Sequence, residues 1–140
     1  MQVSSDFKMV IVVDDDLPVG LKTNTAAVLS LTLGNKITGL IGTDLRDGSG
    51  HIHTALTTVP LPILKSTQEG LRSLYDQAYT LRDALLLVDI TDAAQTTKNY
   101  ADYEQKLQQS PTNQLLLLGI ALAGPEKLIK RLTGSLGLLR

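Results

Sequence analysis

No cysteine occurs anywhere in the 140 residues. Disulfides, thiolate metal sites and a cysteine nucleophile are excluded together, and the composition suits a reducing, cytoplasmic setting. Tryptophan is absent too, and a single Phe stands beside four Tyr, so the core must be aliphatic. No apolar run reaches the roughly 18 residues of a membrane helix, and no membrane partner is expected. The opening residues MQVSSDFKMVIVVDDD lack a basic stretch followed by a long apolar one, so no secretory leader is expected. Nor is positive charge in excess: 13 Lys and Arg face 14 Asp and Glu, a net charge of −1. Proteins that grip phosphates are usually basic, which weighs against nucleic acid, tRNA included, as the main partner. Hydrophobic residues at 43% and charged ones at 19% fit a folded chain, and the length fits a single domain over 1–140.

What is present alternates between two patterns. Met9 to Val13 (MVIVV) is an unbroken apolar run, the mark of a strand buried on both faces. Asp14, Asp15, Asp16, Pro18 and Gly20 then read as a loop, and a helix is predicted from about Thr23 to Leu33, capped by Thr23 or Asn24. Thr23 to Asn35 carries no charge. Such a helix is covered on most sides, within the monomer or by a second subunit, and a homodimer is the expectation. Ile37–Leu45 and His51–Thr57 flank Asp47-Gly48-Ser49-Gly50 as a predicted hairpin. Ile63-Leu64 reads as a short edge strand. Ser66 and Glu69 have capping-box spacing before a helix with a Leu71, Leu74, Tyr75, Ala78 stripe.

Leu85–Val88 is a further buried strand, and a short helix near Ala101–Gln108 is predicted to face inward with Tyr100, Tyr103 and Leu107. A last long strand opens at Gln114 and runs to about Leu122. Gly124-Pro125 starts a helix that stops at Gly134, and Leu136–Leu139 can close as an edge strand. Strands alternating with helices imply an α/β fold: three layers, α/β/α, around a mixed, mostly parallel sheet of about four to five strands.

Few residues carry obvious chemistry. Asp14–Asp16 could hold a hard cation, but such a run is more often a solvated loop, and no further ligands accompany it. His51 and His53 share one strand face without a third ligand. No metal and no cofactor is expected. The scattered Gly119, Gly124, Gly134 and Gly137 make no phosphate-binding fingerprint, and Lys127, Lys130 and Arg131 read as a solvated basic stripe.

Three segments resemble the type II peptidyl-tRNA hydrolases: KMVIVVDDDLPVG at 8–20, DAAQTT at 92–97 and the tail GIALAGPEKLIKRLTGSLGLL at 119–139. The chain is also similar to an uncharacterised bacterial family on that fold, domain of unknown function 2000. The features are Asp14-Asp15-Asp16-Leu17-Pro18, then Lys22 and Asn24, then the acidic and tyrosine-containing stretch Asp92–Tyr103. The resemblance implies a hydrolase-like fold and brings Lys22 and Asp92 forward as catalytic candidates, with Asp16, Asn24 and Thr96 as ligand-binding partners. It also shows departures. Leu21 and Thr23 stand where the hydrolases carry two lysines, Ala27 where they carry Gln and Ser30 where they carry His. The expectation is therefore a module that binds a small-molecule or protein ligand without the full hydrolase site. The alternative is hydrolysis of the ester of peptidyl-tRNA or a related small ester.

Overall fold

A run of aliphatic residues with no polar interruption is stable only where neighbours cover both of its faces. In the computed structural model, which describes residues 1–140, that place is the middle of a sheet. Strand β1 (Phe7–Asp14) buries Met9 through Val13 completely. It pairs in parallel with β4 (Ile63–Ser66) and antiparallel with β6 (Leu117–Pro125), whose other side pairs antiparallel with β5 (Leu86–Thr91). The order is β4-β1-β6-β5. Four strands are present, within the four to five expected, but the sheet is mostly antiparallel, which corrects the mostly parallel expectation. Burial on both faces was the sign taken for parallel strands, and here it comes from helices on both sides whatever the strand direction.

The three layers follow from side-chain alternation. Met9, Ile11 and Val13 face helix α1 (Val19–Lys36) with its Ala26, Leu29 and Leu33. Val10 and Val12 face α2 (Gln68–Thr80) and α5 (Glu126–Thr133) with Leu71, Leu74, Ala78 and Ile129. A bulge interrupts the β5–β6 register, where Ile90 opposes Gly119 but Thr91 opposes Leu117. The extra residue, Leu118, turns to the α1 side although Leu117 and Ile120 face the other. Next to it, Gly119 lets α1 settle on the sheet. A β-carbon there would stand 2.5 Å from Thr25 Cγ2 and 3.0 Å from the Val12 carbonyl oxygen.

Helix boundaries shift in physically simple ways. Helix α1 begins four residues before Thr23, with Pro18 (φ −58°) as its N-cap, so neither Thr23 nor Asn24 caps it. Thr23 instead donates its hydroxyl to the Val19 carbonyl, inside the first turn. Helix α2 is capped by Thr67, whose hydroxyl accepts from the Gly70 N–H at 3.1 Å, one residue beyond the predicted Ser66. Helix α5 follows Gly124-Pro125 and ends before Gly134 as read.

The predicted long hairpin is shorter than expected. Only β2 (Leu45–Arg46) and β3 (Ile52–His53) pair, as a separate two-stranded sheet, with a bridge between Ile41 and Thr57 below them. Leu45 and Ile52 are exposed, and without a covering layer the pairing does not propagate. The turn itself forms as read: Gly50 takes a φ of 85°, and the Asp47 carboxylate accepts from the Ser49 and His51 N–H groups.

The tail closes one side of the sheet. Lys65 N–H donates to the Gly137 carbonyl, and Leu139 N–H donates to that of Ile63, with Leu64 bridged to Leu138. At the other side, β5 leads into α3 (Asp92–Gln95) and α4 (Tyr100–Gln108). Helix α4 faces inward only in part: Tyr103 and Leu107 are half-buried, but no residue of the helix is fully buried and Tyr100 is 81% exposed. It is the outermost helix on the β5 side, so Tyr103 reaches only the rim of the core and Tyr100 stays in solvent. No helix is long and apolar enough to cross a membrane.

Candidate functional site

Strands β1 and β5 both run antiparallel to β6, so the loops that follow them leave the same end of the sheet. Lys22 and Asp92 therefore sit at one end, with the start of β6 between their strands, but each has its own partner. The Lys22 ammonium donates to Asp15 Oδ1 at 3.0 Å. Asp92 is tied to Leu116: its N–H donates to the Leu116 carbonyl at 3.0 Å, and its Oδ1 accepts from the Leu116 N–H at 3.1 Å. Asp16 is exposed and gives its N–H to Asp14 Oδ1 at 2.9 Å. Asn24 is exposed on α1. Thr96 is the residue brought to Asp92, donating toward the Asp92 carbonyl at 3.4 Å while its hydroxyl accepts from the Lys106 ammonium.

Sequence reading missed the polar lock at this end. Asp14, the first of the acidic run, is buried rather than solvated. Its Oδ2 accepts from Gln68 Nε2 at 2.9 Å. Gln68 also donates to the Leu117 carbonyl at 2.6 Å and accepts from the Leu117 N–H at 3.0 Å. One turn along α2, the Arg72 guanidinium donates to the carbonyls of Thr112 and Leu115. Two long hydrogen-bonding side chains four apart at a helix start were the available signal. Among the other polar motifs, His53 Nε2 meets Asp47 Oδ2 at 2.8 Å. That contact, with the Ser49 and His51 N–H groups, holds the Asp47 carboxyl below its ordinary range. Lys130 of the basic stripe pairs with Glu126 at 2.8 Å.

A cleft of about 500 Å³ opens between α1, β5 and the α3–α4 segment. Val28, Leu29, Val88, Ile90 and Ala94 give it apolar walls, and Thr97, Lys98, Asn99 and Tyr103 are polar, charged or amphipathic residues in its lining. The volume lies within the range of small-ligand sites. Asp89 is its one acidic residue. It is half-buried on the end strand, its carboxylate makes no hydrogen bond or ion pair within the chain, and burial pushes that carboxyl above the ordinary range. The hydroxyls of Tyr75 and Tyr103 are raised as well, first by burial and then by the nearby Asp89 charge. The Tyr100 and Tyr103 rings meet edge to face with centroids 5.8 Å apart.

None of Asp16, Lys22, Asn24, Asp92 and Thr96 lines this cleft. Lys22 lines a smaller groove of about 360 Å³ with Ile63, Leu139 and Arg140. The larger cleft holds no histidine and no second carboxylate. Its walls are largely apolar, Lys98 is its one basic residue, and Asp89 borders it from β5 without a side-chain donor.

No curated protein is detectably similar in sequence. Two solved chains match. One is a protein of unknown function from Agrobacterium tumefaciens, 24% identical over 96% of this chain and 98% of that one, with a TM-score of 0.85. At that identity the likeness is one of fold. A family model matches residues 7–140, nearly the whole chain, and the protein belongs to the family described as Protein of unknown function (DUF2000).

Proposed function

We propose that the protein is a binding module whose working site is the cleft between α1, β5 and the α3–α4 segment. The observation that carries this is Asp89, a half-buried acid with no side-chain partner, on the strand whose Val88 and Ile90 wall the cleft and with its own side chain turned to the other face of that strand. A group left in that state is costly unless something outside the chain completes it. The ligand class that fits has an apolar body for the cleft and a cationic or hydrogen-bond-donating group that reaches Asp89 across the β5 edge. The test is a fragment set titrated against the isotopically labelled protein. Hits should shift the amides of Val88, Ile90 and Thr97, and Val28→Trp, which fills the cleft from a partly exposed helix position, should remove them. Hits that gather elsewhere, or that survive Val28→Trp, would sink the reading.

A second reading keeps the hydrolase chemistry on the type II peptidyl-tRNA hydrolase-like fold. It is supported by the segments at 8–20, 92–97 and 119–139 and by the common end of the sheet, where the helix starts that carry Lys22 and Asp92 lie. Lys22 and Asp92 would orient water there, with Asp16, Asn24 and Thr96 around the substrate. This reading requires Lys22 to leave Asp15 and Asp92 to leave Leu116. It predicts turnover of an N-blocked aminoacyl-tRNA that Lys22→Ala abolishes, whereas the binding module predicts none above background.

A homodimer through α1 belongs to the same proposal. The support is Val19 at 80% and Leu31 at 76% exposure on a helix whose middle carries no charge.

A further inference from the structure

The two outer strands of the sheet end differently. On β4, the chain's own tail supplies hydrogen bonds through Gly137 and Leu139. On β5, no backbone hydrogen bond from outside the sheet reaches residues 86–90. That strand also forms a wall of the cleft through Val88, Asp89 and Ile90. The outward N–H and C=O groups of an end strand are a template for another strand. Strand parity adds a second feature. Val88 and Ile90 pack toward the α1 side, so Asp89 projects to the opposite one.

We propose that β5 takes an extended peptide as a fifth strand, read in the pattern apolar–basic–apolar, with the basic side chain across from Asp89. This rests on the reading of the cleft as the working site and names its partner. A residue directly opposite on an added strand lies on the same face, so a lysine or arginine there supplies the charge and donors that Asp89 lacks. The residues before and after it turn to the other face, where Val28 continues the apolar wall of Val88 and Ile90. Tyr75, packed on the same side as Asp89 and within reach of its charge, offers ring surface to the stem of the basic side chain. Main-chain hydrogen bonds then give affinity and the alternating side chains give selectivity. A second copy of β5 is a poor occupant, because antiparallel self-pairing centred on Asp89 sets two half-buried carboxylates opposite each other.

The probe is a blocked hexapeptide with a valine–lysine–valine centre, titrated into the whole chain and followed by NMR. We expect saturable binding and slowed hydrogen exchange at alternate β5 amides. Methylating a central peptide nitrogen that faces β5 should abolish binding. Glutamate in place of the lysine, or Asp89→Asn in the protein, should weaken binding about tenfold, the scale of one charge-assisted hydrogen bond. Binding that survives methylation of every central nitrogen, or that leaves β5 exchange unchanged, would overturn strand addition. Fragments that still shift Val88 and Ile90 while the peptide does not bind would overturn it alone and leave the cleft reading intact. Failure of fragments and peptide together would remove both.

Discussion

Asp89 illustrates how one residue's surroundings decide its behaviour. A carboxyl pushed up by burial means that the folded chain holds that proton more tightly than the unfolded chain does. Its contribution to stability is therefore complete below the ordinary carboxylate range and is lost as pH rises through the raised value. Asp89→Asn should raise Tm at pH 7, and the gain should shrink toward zero as pH falls to about 3. Melts at both pH values check this, and an equal gain at each would mean that ionisation is not the cause. In the sequence, Asp89 is one of 14 acidic residues and carries no motif. Lys22 and Asp92 stood out instead because a resemblance names them. Their partners, Asp15 and the Leu116 backbone, follow from chain geometry that residue identity does not encode.

Among the elements, those with strong periodicity were legible. The run at Met9–Val13, the stripe of α2 and the Gly-Pro entry to α5 all appear where the pattern puts them. Strand direction was not, since an aliphatic run has the same pattern read either way. Helix α4 was legible only in part: Tyr103 and Leu107 are half-buried as their spacing suggests, while Tyr100 of the same stripe lies beyond any core and stays exposed. What joins the elements is the Gln68 clasp, which ties α2 to the end of β1 and the start of β6 at once. Gln68→Ala would leave Asp14 and both Leu117 backbone groups short of partners, a loss of about 1–3 kcal/mol. Gln68→Glu keeps the size but removes the donor and adds a charge beside Asp14, so it should cost more. Urea denaturation of the two variants ranks them, and the reverse order would show that the clasp is not held by donation from Gln68.

At the scale of the molecule, the exposed apolar residues of α1 are the features that one chain does not explain. If two copies meet there, Leu31→Lys should convert a dimer to a monomer with little change in unfolding temperature, as read by light scattering and a thermal melt. A monomeric parent chain would dispose of the dimer directly.

The centre of the sheet has a further consequence. Strand β1 pairs along its length with β6, so Phe7 lies opposite Pro125 and Val13 opposite Gly119. The two most buried strands are thus joined across more than a hundred intervening positions, and nothing nearer in the chain can stand in for the missing one. Closing such a loop must precede the gain from burying it, which makes the chain a slow folder for its size. During that interval the MVIVV segment is an aliphatic strand open on its β6 side, the kind of surface that other chains adhere to.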